Sequence, residues 1–528
     1  MEPKAWYHST SFIILASLLL PPAGLILLWT RGSMQTQKKL LGSVGIVALM
    51  GVYVYTLSIW GLLPSVFLEN PNTEAHYDEL ERHRAAQRQT PSSEGDANSQ
   101  SPSGENTASG TPASTATDPA IMAANENPST SASSTSAPRA SRNSWSEYRG
   151  TNRDGRYEDV KILTKWPSGG PRQLWKQPVG GGHASFVCAD GLAFTIEQRR
   201  RQEVVAAYNV ENGREVWTHA WDAEFKENMG GDGPRATPTW HEGRVYALGA
   251  KGDLRVLDAK TGKLVWSKNI LSDARASNLE WGMSGSPLIV DDKVIVQPGG
   301  LSGKSVMAYN KDNGSVVWAS LNDQQAYVSP MLATIAGQRQ IVVVTSSRMV
   351  GLEVDSGGML WEYTWNTSMG INCSQPIPVG PNRLFISSGY GKGAAVVEIT
   401  NNGSGFAART VWQNTLLKNK FNSSVFYEGH IYGLNDPGIL TCLDVETGAR
   451  KWQGGRYGLG QLVLADGHLI ITTEEGEVVL ARAAPDQHTE IARFPALEGR
   501  TWNNPAIANG RLLVRNATHM ACYDISGD

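Results

Sequence analysis

The chain of 528 residues has only four cysteines, Cys188, Cys373, Cys442 and Cys522. None lies in a C-x-x-C pair or at Cys/His ligand spacing, which excludes a zinc module and a dithiol redox motif. Basic runs are equally scarce: the longest is Arg199, Arg200 and Arg201, and the formal net charge is −3. Without a basic footprint there is no electrostatic case for nucleic acid. The G-x-S-x-G elbow and the H-E-x-x-H zinc pair are also missing. GGLSGKS at 299–305 imitates a phosphate-binding loop, but its glycine spacing is one residue short and it joins two strand-like runs. GYGKG at 389–393 is too short for a dinucleotide fingerprint.

Long apolar runs are confined to the N-terminus. Residues 11–29 and 41–63 contain no charged residue, and each is long enough to cross a hydrocarbon core of about 30 Å. They predict two transmembrane helices that make residues 1–69 a membrane anchor. Arg31, Lys38 and Lys39 lie between them, which places the hairpin on the cytoplasmic side and the remainder of the chain on the periplasmic or extracytoplasmic side. The segment 77–89 is charged and helix-compatible, and reads equally as a stalk extending the second span or as solvated coil. From 90 to 140 the only large apolar residues are Ile121 and Met122, so this stretch cannot bury a core and is expected to be a disordered tether. Together they make residues 70–142 a linker.

What the chain has in quantity is repeats. YNVENGREVW (208–217), LDAKTGKLVW (257–266), YNKDNGSVVW (309–318), LEVDSGGMLW (352–361) and LDVETGARKW (443–452) are copies of one unit. In each, a strand ends at Asp, Asn or Glu, a short turn ends at Gly, and an alternating strand carries Trp. The acid or amide can bond turn N–H groups and Gly accepts the positive φ of a bulged hairpin. Two more strand-like runs precede each turn, giving the four strands of one propeller blade. Anchors at 175, 217, 266, 318, 361, 412, 452 and 494 recur at intervals of 40 to 52 residues. The prediction is an all-β, eight-bladed β-propeller over 143–528. The last copy, ACYDIS (521–526), stops before any Trp, whereas QLWKQPV (173–179) is an orphan outer strand that is expected to complete the final blade. Trp175, Trp217, Trp266, Trp318, Trp361, Trp412 and Trp452 then dock blade on blade.

The pattern D-x-x-T-G-x-x-x-W is met in full at Asp258, Thr261, Gly262 and Trp266, and again at Asp444, Thr447, Gly448 and Trp452. It resembles the tryptophan-docking motif of the quinoprotein alcohol dehydrogenase-like superfamily, and the lead-in WSEYRGTNRDG (145–155) is similar to that of bacterial PQQ-like repeat proteins. In the family's enzymes, PQQ is held between a Trp and a disulfide of two adjacent cysteines, with calcium on carboxylate and amide side chains. No two cysteines are adjacent here, and the short blades leave little room for such an active site. The resemblance extends to the PQQ-free propeller subunit of the outer-membrane β-barrel assembly machinery. It implies a binding or scaffold module for an envelope protein or peptide, with no cofactor and no catalytic residue. The alternative is a PQQ- and calcium-dependent alcohol or sugar dehydrogenase.

Loops joining the outer strand of one blade to the inner strand of the next gather around one mouth of the channel. Two are long, 219–235 and 268–284, and should build a raised wall carrying Asp232, Arg235 and Trp281. Ser284, Tyr327, Asn372, Asn422 and Asn503 begin inner strands, with Trp502 beside the last. These nine residues are the candidate ligand ring. The same ring suits a purely structural duty, because strand-start amides need partners. In the dehydrogenase alternative, Arg235 would contact the quinone, Asp232 would act as base and Trp502 as stacking plate. No metal ligands are expected.

Overall fold

Turn chemistry sets the strand order. In the computed structural model, which describes residues 21–30, 36–59, 70–89, 145–157, 161–403 and 405–527, Asp258 Oδ1 accepts the Thr261 N–H at 2.8 Å and the Thr261 hydroxyl at 2.6 Å. Gly262 follows at φ +70°, and Gly448 takes the same φ after the equivalent Asp444–Thr447 pair, a conformation that costs glycine little. The outer strand then starts with a register shift between Leu264 and Trp266, the predicted bulge.

This unit repeats into eight antiparallel sheets, an all-β, eight-bladed β-propeller. Blade 1 consists of Val187–Ala189, Leu192–Arg199, Gln202–Asn209 and Glu215–Asp222, paired in chain order. In the last blade, Arg172–Pro178 pairs with His519–Asp524 outside Arg511–Arg515 and Ala506–Ala508. The orphan N-terminal strand therefore closes the ring and leaves no free edge at the join.

The docking tryptophans tie each blade to the next. Trp175 Nε1 donates to Val210 O at 2.7 Å, Trp217 to Ala259 O at 2.9 Å, Trp266 to Lys311 O at 2.9 Å and Trp318 to Val354 O at 3.1 Å. Trp412 and Trp452 do the same to Val445 O at 2.8 Å and Ala484 O at 2.9 Å. Each of these carbonyls belongs to the turn of the following blade. Trp361 departs from the pattern and donates to Gln340 Oε1 of its own blade at 2.6 Å. The next blade's turn there reads NNGSG and lacks the Asp-x-x-Thr-Gly geometry. Phe494 replaces the eighth Trp. A Cβ on Gly170 would lie 2.4 Å from its ring, so Gly170 serves as the turn glycine of the closing blade.

The lead-in fills the channel from the end where the inner strands finish. Arg156–Tyr157 adds a short parallel strand to Gln461–Ala465, and Arg149 and Arg153 are buried in the middle of the ring. Arg153 donates to Ser286 O at 3.0 Å, Pro287 O at 2.5 Å and Pro330 O at 2.8 Å. Arg149 donates to Ser424 O at 2.8 Å and Leu462 O at 3.2 Å. Two guanidiniums thus satisfy inner-strand carbonyls from four blades.

The N-terminal expectations are corrected. Among the described residues no helix is long and apolar enough to cross a membrane. Helix α1 covers Pro21–Thr30 among the described residues. Helix α2, Thr36–Ile59, opens with Thr36, Gln37, Lys38 and Lys39, and Gly42, Ser43 and Gly45 dilute the apolar character of its next turns. The two pack on each other through Leu28 and Ile46, with Gly42 in the contact. This overturns the expected two-span anchor, and with it the periplasmic or extracytoplasmic placement inferred from that anchor. Residues 11–20 and 60–63 of the expected spans lie outside the described residues, as does the expected tether at 90–140.

Helix α3, Glu74–Gln89, is neither stalk nor solvated coil. It lies on the propeller with Tyr77, Leu80 and Arg84 buried, and Arg200 of blade 1 pairs with Glu74, Asp78 and Glu81 along its exposed side. The pairing residues recur every three to four positions, one turn apart on a helix face.

Candidate functional site

With one end of the channel filled by 145–157, the open mouth lies where the inner strands begin. The two long loops frame it. Their strands run further than expected, since blade 1 continues to Asp222, and a short helix, Ile270–Ala274, opens the second loop.

Arg235 is consumed inside the first loop. It pairs with Glu227 at 3.1 Å, donates to Gly231 O at 2.6 Å and to Gly233 O, and lies over the Phe225 ring at 4.5 Å. Burial lowers its pKa to about 10, and Glu227 opposes that shift. Asp232 is also buried, and accepts from Asn70 Nδ2 at 2.7 Å. Burial raises its carboxyl above the usual range, against the Asn70 bond. Ser284 donates to Gly282 O at 3.2 Å.

The three asparagines are buried and bonded to backbone or to neighbouring side chains. Asn372 Nδ2 donates to Thr345 O at 2.9 Å, and Ser388 Oγ donates to Asn372 Oδ1 at 2.8 Å. Asn422 Oδ1 accepts from Asn419 at 2.7 Å, and Asn503 Nδ2 donates to Gly182 O at 3.1 Å and Ala184 O at 3.0 Å. Asn372 and Asn503 hold neighbouring blades together, and Asn422 braces its own loop.

The aromatics are placed differently. Trp281 and Tyr327 are half-buried, with ring centroids 5.6 Å apart, and burial raises the Tyr327 phenol above its usual value. They line a groove of about 470 Å³ together with Gly299, Leu301, Gln325 and Met369. Leu301 is 62% exposed and Met369 66%. On the other side of the mouth Trp502 lies 5.0 Å from Phe421 and 5.8 Å from His183, and its indole donates to Glu474 at 2.9 Å. Arg500 covers its face at 4.4 Å and reaches back to Met229 O and Gly230 O, bracing the first long loop across the mouth. His183 is lowered to about 3 by burial and then by Arg235, so it is neutral at physiological pH and no candidate base.

Sequence reasoning missed the residues that bridge these two sides. Gly389 meets Lys420 closely enough that a Cβ would stand 3.2 Å from its Cα. Lys420 lies over Phe421 at 5.5 Å, and Lys392 over Trp365 at 4.5 Å. Tyr390 sits between them in the loop GYGKG. The available signal was that loop and GGLSGKS. Both glycine-rich decoys connect the second and third strands of a blade, and that connection returns to the mouth as surely as the inter-blade loops do.

The quinone's requirements are not matched. All four cysteines are free, and Cys188, Cys442 and Cys522 are buried. Burial pushes the Cys373 thiol up to about 12, which leaves it inert. Among the described residues no group of three His, Cys, Asp or Glu side chains could hold a metal ion.

Comparison with known proteins agrees with the repeat geometry. The family described as outer membrane protein assembly factor BamB matches residues 200–454. The chain is 22% identical to the outer membrane protein assembly factor BamB of Yersinia pestis over 321 residues, covering 57% of this chain and 76% of that protein. The crystal structure of BamB from Moraxella catarrhalis superposes with a TM-score of 0.50 at 18% identity, covering 67% of this chain and 99% of that one. The quinohemoprotein alcohol dehydrogenase ADHIIG of Pseudomonas putida HK5 superposes with a TM-score of 0.54 at 14% identity, covering 73% of this chain and 81% of that one. At such identities the two structures speak to the fold alone. By its repeats and by these likenesses, the chain is similar to the PQQ-like β-propeller repeat proteins, with the family match confined to residues 200–454.

Proposed function

We propose that this propeller is a non-catalytic protein-binding or scaffold module, whose partner is a polypeptide of cell-envelope assembly held at the open mouth. The observation that carries the reading is the pair Leu301 and Met369, at 62% and 66% exposure, beside half-buried Trp281 and Tyr327. Exposed apolar side chains next to half-buried aromatics are what a protein interface offers before its partner covers it. The sequence likeness to outer membrane protein assembly factors supports the partner class. The ligand role of Trp281, Tyr327 and Trp502 belongs to this proposal. Asp232, Arg235, Ser284, Asn372, Asn422 and Asn503 shape the mouth from beneath it.

The reading is tested in cells with a photo-crosslinking residue in place of Met369, and separately in place of Val216 on the outer strand of blade 1, which is 50% exposed. A polypeptide adduct from position 369 and none from 216 is expected. No adduct from 369, or equal adducts from both, would overturn the proposal.

A further inference from the structure

Resting on that reading, we infer that the mouth selects acidic polypeptide segments bearing aromatic or aliphatic side chains, with Lys392 and Lys420 supplying the charge selectivity. The aromatics form an arc of two packed pairs. Trp281 packs on Tyr327 and Phe421 on Trp502, and Tyr390 interacts electrostatically with Tyr327. The Tyr327 N–H is bonded to Asn372 O at 2.9 Å, and Ser368 Oγ reaches Tyr390 O at 3.4 Å. The first contact joins neighbouring blades and the second ties the loop at 389–393 to the segment that enters its own blade.

Two ammonium groups stand on this arc over aromatic rings, Lys392 over Trp365 and Lys420 over Phe421. Among the described residues neither forms an ion pair. Burial alone lowers Lys392, with no carboxylate raising it. Three acids face this region, and none pairs with either lysine. Glu474 accepts from the Trp502 indole at 2.9 Å and from the Leu459 N–H at 3.0 Å. Glu280 is exposed and lines the Trp281–Tyr327 groove beside Arg275, which brings a cation to the same edge. Asp436 acts electrostatically on Tyr390.

An ammonium held against an aromatic face without a carboxylate is partly desolvated and keeps its attraction for an anion. A carboxylate-bearing segment would complete both charges while its apolar side chains enter the Trp281–Tyr327 groove. Complementary charge across such a patch sets specificity more than affinity, which is the property a scaffold needs.

The test uses the full chain and three short fluorescent peptides, one with Phe and Glu, one with Phe and Lys, one with Ser and Glu. Binding is read by anisotropy and by intrinsic tryptophan fluorescence. The Phe/Glu peptide is expected to bind most tightly, with affinity falling about tenfold in the K392E/K420E double variant. It should fall also as salt rises to about 0.5 M, where charges are screened. K176E, on the exposed outer strand of the closing blade, should bind as the parent does. K392Q/K420Q guards against a folding defect, since it removes charge without adding repulsion and should show an intermediate loss. Equal affinity for the Glu and Lys peptides, or undiminished binding by both double variants, would overturn the inference. If position 369 still crosslinks a polypeptide in that event, the charge selectivity alone is wrong; if it does not, the scaffold reading falls with it.

Discussion

Arg84 Nε lies 3.3 Å from Glu215 Oε2, and the two side chains are 3% and 11% exposed. Arg84 belongs to the helix Glu74–Gln89 and Glu215 opens the outer strand of blade 1. The same guanidinium donates to Gln177 Oε1 and Pro178 O at 2.9 Å each, on the strand that closes the ring. One arginine therefore bridges both sides of the seam where the two ends of the propeller meet. Asn72 extends the clasp towards the mouth by donating to Ala517 O at 2.8 Å.

Without Arg84, Glu215 keeps its ion pair with Arg199 at 2.6 Å, but the buried Pro178 carbonyl loses a charged donor. Arg84→Met should therefore destabilise the propeller by about 1–3 kcal/mol. Urea denaturation measures the loss, and hydrogen exchange over residues 74–89 should rise before global unfolding. Unchanged exchange in the helix would show that Arg84 is not what holds it.

Arg153 makes a comparable demand in the channel. Its Nη atoms satisfy carbonyls at Ser286, Pro287 and Pro330, and Arg153→Met would strand those of Ser286 and Pro330, while Pro287 O keeps the Thr239 hydroxyl at 2.6 Å. A loss of at least about 3 kcal/mol is expected from stranded buried acceptors. Chemical denaturation should show a lowered midpoint with the m-value retained.

Gly262 and Gly243 separate clash from backbone strain. Both have positive φ, +70° and +75°. A Cβ on Gly262 would stand 2.5 Å from the Trp217 ring, whereas one on Gly243 meets nothing within 4 Å. Gly243→Ala should cost about 1–2 kcal/mol, the left-handed penalty. Gly262→Ala should cost at least about 1 kcal/mol more, because Trp217 must shift. Paired thermal melts decide the difference.

Glu203 is buried between blades 1 and 2, with Oε1 accepting from Ala250 N–H at 2.8 Å. Burial, the largest cause, raises its pKa from 4.5 to about 7. A raised carboxyl pKa means that the unfolded chain releases its proton first, so stability falls as pH rises from about 4.5 to 7 and is level above that. Glu203→Gln should abolish the fall, leaving the variant more stable than the parent at pH 8 by on the order of 3 kcal/mol. Melts at pH 5 and pH 8 should therefore diverge between the two proteins.

The blades were legible because each carries its own turn chemistry: Asp258, Thr261, Gly262 and Trp266 predict a bulged hairpin, and the structure has one. Blade count and ring closure followed from the spacing and from the orphan strand at Trp175. The helix at 74–89 was not legible as a docked element. Its buried face amounts to Tyr77, Leu80 and Arg84 on an otherwise charged helix, and an arginine in a core position reads as surface. The lead-in plug was hidden for the same reason, since Arg149 and Arg153 are buried by their acceptors rather than by apolarity. At the mouth, attention to inter-blade loops found Trp281, Tyr327 and Trp502 but passed over Lys392, Tyr390 and Leu301. A four-stranded meander returns to the mouth twice per blade, once between the second and third strands, and those short loops carry no length signal.

The most direct measurement of the central claim is a hydrogen-exchange footprint of the full chain, alone and bound to the polypeptide recovered by crosslinking at position 369. Protection concentrated in 274–281, 299–303, 369–372, 390–392 and 420–421 is the expected result. Protection confined to the outer strands or to 145–157, with the mouth unchanged, would contradict it.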